Sequence, residues 1–178
     1  MASDDAKRAD GAGTVTLVAM GGDTFTVDRN VISLSQVIRV MLEDDGECVA
    51  TEIPLPTVRG PVLAKVVDYC VHYQTEPMTE IPRPIKYGRT VADHVQPWYA
   101  EFVDALDKET LFELILSCNY LDVKPLLDLT SAVAGLMLMN KTPDEIRATL
   151  GIEQPFAPEV ERQLRDEIRW STEPPVRS

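Results

Sequence analysis

Three cysteines and two histidines are the side chains best suited to metal or nucleophile chemistry: Cys48, Cys70, Cys118, His72 and His94. The cysteine count is odd and no pair has the C-x-x-C spacing that builds zinc or redox sites. Free thiols in a reducing compartment are the simpler reading, with Cys70 and Cys118 on apolar helix faces and the histidines in or near polar loops. Gly21-Gly22-Asp23 could open a phosphate-binding loop, but no G-x-G-x-x-G and no Lys-Ser/Thr follows. The chain carries no G-x-S-x-G, H-E-x-x-H, P-loop or kinase signature, and its carboxylates fall mostly on helix surfaces and in loops. The expectation is a protein without catalysis, cofactor or metal.

The bulk composition narrows the class further. The 178 residues suffice for one domain with a real core, alone or with a helical extension. A hydrophobic fraction of 44% fits a globular chain, and no run approaches the ~18 apolar residues of a membrane span. Met1 to Gly13 lacks the apolar core of a secretory signal and reads as a disordered leader. A net charge of −12, from 29 acidic and 17 basic residues, opposes contact with nucleic acid. The acids are spread along the chain, as on a solvated surface.

The elements that must position any site follow from periodicity. Val15, Leu17 and Ala19, then Phe25 and Val27, alternate with other residues on either side of the glycine pair, which predicts a β-hairpin. Asp28 or Asn30 can cap a helix that starts near Val31 and carries Leu34, Val37, Ile38, Met41 and Leu42, ending at Asp44-Asp45-Gly46. A third strand is expected over Thr51–Leu55, with Pro54 and Pro56 marking an edge. A helix from Pro61 to about His72 carries Leu63, Val66, Val67 and Cys70. Residues 74–95 hold Pro77, Pro82 and Pro84 without periodicity and read as a long mobile loop.

The second half reads as helical. Trp98 and Phe102, four apart, anchor one helix. The next, Lys108 to Leu121, has two stripes: Leu111, Leu114, Cys118 and Leu121, then Phe112, Ile115 and Asn119. A helix apolar on two sides packs on its own domain and on something else. Pro125 suits the first turn of a helix running to about Met139. Thr142, Pro143 and Glu145 form a capping box with proline at the first helical position, and Gly151 can close that short helix. A last helix is expected from Pro158 with Val160, Leu164 and Ile168, followed by Trp170 and a disordered tail over residues 171–178. These Leu- and Met-rich pieces either close a small core of their own or expose an apolar groove for a partner helix. Pattern alone leaves both open.

Several motifs carry a resemblance. Thr110-Leu111-Phe112-Glu113-Leu114-Ile115-Leu116-Ser117-Cys118-Asn119-Tyr120-Leu121-Asp122-Val123-Lys124 resembles the central segment of Skp1 proteins. Lys141-Thr142-Pro143-Asp144-Glu145-Ile146-Arg147 is similar to the family's KTPEEIR, and Glu167-Ile168-Arg169-Trp170 to its acid-x-x-Trp ending. Phe25-Thr26-Val27-Asp28, Met41-Leu42-Glu43-Asp44 and Pro54-Leu55-Pro56-Thr57-Val58 match its FxVD, MLED and PLPNV. The motifs stand in family order across about residues 14–170. The chain departs from the pattern at Arg83, Lys86 and Arg89, where the family loop is acidic, at Pro125 for glycine, and at Leu150 for an aromatic. Ala157-Pro158 also lacks the usual hydroxyl cap, and the tail after Trp170 is longer than usual.

The resemblance implies an α+β fold: a BTB/POZ-like three-stranded sheet with helices over residues 14–139, then F-box-binding helices over 140–170. It implies an adaptor of an SCF-type ubiquitin ligase that joins F-box receptors to a cullin in cytoplasm and nucleus. Phe112, Leu127, Ile146, Leu150, Ile152 and Trp170 would line the F-box groove, and Asn119 and Tyr120 would face the cullin. Pro143 resembles a proline that some protist members hydroxylate and glycosylate. An F-box partner without cullin, at a kinetochore or in chaperone work, is the alternative, and weak homodimerisation of the free chain stays open. An elongin-C-like adaptor is disfavoured, because such proteins lack helices matching residues 143–170.

Overall fold

The alternation at Val15, Leu17 and Ala19 becomes β1 (Thr14–Met20), which pairs antiparallel with β2 (Thr24–Asp28) in the register Val15–Val27 and Leu17–Phe25. Gly21 and Gly22 turn the chain at φ 101° and 94°, a backbone that side-chain-bearing residues rarely adopt. The computed structural model describes residues 13–44, 52–85, 90–152, 157–160, 162 and 163. Among these the sheet has three strands in the order β2-β1-β3, with β3 (Glu52–Arg59) parallel to β1. Parallel strands need a long crossover, and the helices after β2 supply part of it. Pro54 and Pro56 sit on an edge strand, as expected, where a missing N–H is tolerated. The strand itself runs to Arg59, past the predicted end at Leu55.

The single helix expected from Val31 is in fact two, α1 (Arg29–Ile32) and α2 (Gln36–Asp44). Asp28 caps the first by accepting from the Asn30 N–H at 2.8 Å. The break is held by Ser35, fully buried. Its hydroxyl donates to the Leu121 carbonyl at 2.6 Å and accepts from the Ile38 N–H at 3.2 Å, so it starts α2 while tying down the end of a distant helix.

The remaining helices are α3 (Gly60–Thr75), α4 (Pro97–Asp104), α5 (Lys108–Leu121), α6 (Lys124–Leu138) and α7 (Pro143–Leu150). Residues 158–160 and 162–163 are also helical, at the place expected for the last helix, whereas Leu164 and Ile168 lie outside the described residues. A Cβ at Gly60 would stand 2.1 Å from a carboxylate oxygen of the exposed Asp23, so a side chain there would make Asp23 move. That carboxylate lies over the first residue of α3, where the helix dipole favours negative charge.

One apolar cluster joins the sheet face (Val15, Leu17, Ile53, Leu55) to α3 (Leu63, Val66, Tyr69) and to α5 and α6 (Leu114, Leu121, Leu126, Leu129). Cys70 and Cys118 are inside it, as their apolar helix faces imply. Cys48 lies outside the described residues. His72 lies in the last turn of α3, near the loop that follows, stacked on Trp98 at 3.8 Å. The stretch expected to be a long mobile loop begins inside α3, carries a 3-10 turn at Val91–Asp93, and buries Ile81, Val91 and Val95. The described chain forms two compact units, one through Met137 and one from Leu138 onward.

Candidate functional site

Cys70 and Cys118 are set aside first as sites of thiol chemistry. Burial pushes the Cys70 thiol up to about 12 and raises the Cys118 thiol as well, with Cys70 adding to the effect. A thiol that stays protonated at neutral pH is neither a nucleophile nor a ready metal ligand. Among the described residues no group of three or more His, Cys, Asp or Glu is placed to hold a metal ion, and no helix is long and apolar enough to cross a membrane. The described residues present two surfaces.

The end of α5 builds the first surface. Asp107 caps the helix by accepting from the Thr110 N–H at 2.9 Å. That backbone bond, with the Thr110 hydroxyl, holds the Asp107 carboxyl below the usual range. The stripe Leu111, Leu114, Cys118 and Leu121 is buried, as its spacing predicts. Phe112 and Ile115 on the second stripe are half-buried, and Asn119 is exposed. Tyr120 is 39% exposed and Leu116 71%. Around them Thr57, Arg59, Val62, Glu113 and Ser117 complete a cleft of about 450 Å³. Arg59 closes one side of it through a 2.6 Å ion pair with Glu113. Sequence reasoning missed Leu116 and Arg59. The available signal was a leucine on neither apolar stripe of its helix, where solvent should face a polar residue.

The residues expected to form a groove divide between the two units. Leu127 on α6 is half-buried and packs partly on the core, and Phe112 stands on α5 of the same unit. In the second unit the capping box on α7 is complete. The Thr142 hydroxyl accepts from the Glu145 N–H at 3.3 Å, and the Thr142 N–H donates to the Glu145 carboxylate at 2.7 Å. The second bond is the main reason the Glu145 carboxyl lies below its ordinary range. Pro143 occupies the first turn and is exposed. Gly151 closes the helix at φ 68°, with the Ile152 N–H donating to the Arg147 carbonyl at 2.9 Å. This frame presents Ile146 half-buried, Leu150 at 39% exposure and Ile152 at 45%. Trp170 lies outside the described residues.

The relationships of the sequence decide the family. Residues 13–75 match the Skp1 family tetramerisation domain and residues 124–171 the Skp1 family dimerisation domain. An S-phase kinase-associated protein 1 homolog from Tetrahymena thermophila is 39% identical over 92% of this chain and 96% of its own. The chain belongs to the Skp1 family. SKP1-like protein 1A of Arabidopsis thaliana is 40% identical over 89% of this chain and 97% of its own. An E3 ubiquitin ligase complex SCF subunit, sconC, of Aspergillus clavatus is 40% identical over 90% and 98%. The sheet, with α1 to α3, falls in the first Skp1 match, and α6 and α7 fall in the second. Phe112, Asn119 and Tyr120 lie in the stretch between the two. Leu127, Pro143, Ile146, Leu150, Ile152 and Trp170 lie in the second.

Proposed function

We propose that this chain is the adaptor subunit of an SCF-type ubiquitin ligase, bridging F-box substrate receptors to a cullin so that bound proteins are ubiquitinated and degraded. The observation that carries this is the likeness, over nine-tenths of both chains, to a protein named as an SCF subunit. The adaptor does no chemistry of its own and works in cytoplasm and nucleus. Its F-box groove comprises Phe112, Leu127, Ile146, Leu150, Ile152 and Trp170. The exposure of Leu150 at the end of a firmly capped helix, and of Ile152 just past its cap, supports that reading, since apolar side chains left in water favour a partner's apolar surface. Asn119 and Tyr120 face the cullin, a role supported by their exposure beside the Leu116 cleft.

Affinity purification from the native cell, scored for F-box proteins and for a cullin, tests the whole. Recovery of both is expected. F-box proteins without any cullin would convert the reading to a non-cullin assembly, and neither would remove it. Pro143 is a candidate for hydroxylation and glycosylation. Its exposure supports access by a modifying enzyme, and its place at the start of α7 would put added polar bulk beside the groove residues. Peptide mass analysis of the protein from oxygenated cells should find the added mass; an exclusively unmodified peptide leaves Pro143 a purely structural N-terminal residue.

A further inference from the structure

Residues 76–85 form a strap with its own fixings. The Tyr99 hydroxyl donates to the Glu76 carbonyl at 2.5 Å. The Gln96 side-chain amide clamps two points at once: its nitrogen donates to the Pro77 carbonyl at 2.8 Å and its oxygen accepts from the Thr79 N–H at 3.1 Å. Ile81 is 8% exposed and serves as the anchor. Beyond it the Arg83 guanidinium pairs with the Asp128 carboxylate of α6. An exposed pair of this kind adds little stability by itself; it brings the end of the strap alongside α6.

The strap does not cover α6; it stands beside it. Ile81, Arg83 and Ile85 form one wall of a cleft of about 400 Å³, and Leu127, Ser131 and Ala132 on one face of α6 form the rest, with Asp128 at the rim. Ile85 and Leu127 are each half-buried, so both keep apolar surface turned to water that a partner could remove. A strap built to block this face would fill the cleft, and here space remains between the two walls. Leu127 is shared between this cleft and the residues assigned to the F-box groove above.

We propose that Ile85 and the Arg83–Asp128 pair are receptor-selectivity elements: they wall a slot beside Leu127 that takes one large apolar side chain from an amphipathic helix of the F-box receptor. The proposal rests on the adaptor reading of Leu127. The uncharged floor and the internally neutralised rim favour an apolar anchor over a charged one.

The test uses the full chain and the F-box receptor that co-purifies with it from native cells. Ile85→Asp, and independently Ser131→Trp, which fills the slot from the exposed side of α6, should each weaken receptor binding about ten-fold or more. Cullin binding should be unchanged in both, and the melting temperature unchanged in Ser131→Trp, whose side chain is exposed, whereas Ile85→Asp also gives up a contact with the core. Arg83→Asp should weaken binding, and combination with Asp128→Arg should restore it. Unchanged affinity in both Ile85→Asp and Ser131→Trp would overturn the proposal, as would increased affinity in Ile85→Asp, which would make the strap a cover. If the wild-type chain recovers no F-box protein, the adaptor reading itself falls and the slot proposal with it, an outcome distinct from a receptor that binds every variant equally.

Discussion

Tyr120 is an aromatic side chain left 39% exposed at the end of a helix whose residues at 111, 114, 118 and 121 are buried. Asn119 beside it is a weak helix former on the exposed side. Neither placement serves the core, so replacing both should leave folding intact. The expected result for Asn119→Ala with Tyr120→Ala is a cullin affinity reduced about ten-fold or more, unchanged F-box binding, and a melting temperature close to wild type. Loss of both partners together would show that the two surfaces are not separate. Leu116 was hidden from sequence reading for a related reason. Its type says core and its helical angle says solvent, and only the fold decides between them.

At the scale of the element, caps and breaks set which faces helices present. Ser35 satisfies the Leu121 carbonyl and the start of α2 together. Ser35→Ala should therefore cost about 1–3 kcal/mol, the usual penalty for a buried polar group left without its partner, measured by denaturant unfolding. A cost near zero would mean that another group takes the carbonyl. On α7, Thr142→Ala should cost about 1 kcal/mol of local helix stability, read as faster amide exchange confined to residues 143–152. The pH dependence has a definite sign. The folded Glu145 carboxyl is held below its ordinary value of 4.5, chiefly by the Thr142 N–H. Its contribution is thus fully present above that value and is lost as pH falls through the lowered folded one. Amide exchange over α7, corrected for its intrinsic pH dependence, should lose protection in that acid range and be unaffected by pH between about 6 and 8, where the carboxyl is ionised in both the folded and the unfolded chain.

For the whole molecule, protection should be uneven. α5 carries fully buried Leu114, Cys118 and Leu121, whereas α7 has no buried residue. Hydrogen exchange of the free chain should be slow over 108–121 and fast over 143–150, and receptor binding should slow the second region far more than the first. Equal protection of both in the free chain would argue that α7 belongs to a closed core and not to a groove.

The sequence by itself determined the hairpin, the buried stripe of α5, the capping box of α7 and the edge position of β3. Each rests on local chemistry: a period of two or 3.6, a proline without an N–H, a hydroxyl three residues before a carboxylate. It also carried the family, because its motifs stand in order along the chain. Tertiary structure decided the rest. The break between α1 and α2 depends on a carbonyl 86 residues from Ser35. The strap at 76–85 has no periodicity to read, since its order comes from Tyr99, Gln96 and Asp128, each contributed by a distant segment. A stretch without periodicity looks like loop until the partners that hold it are brought alongside, and those partners are chosen by the fold.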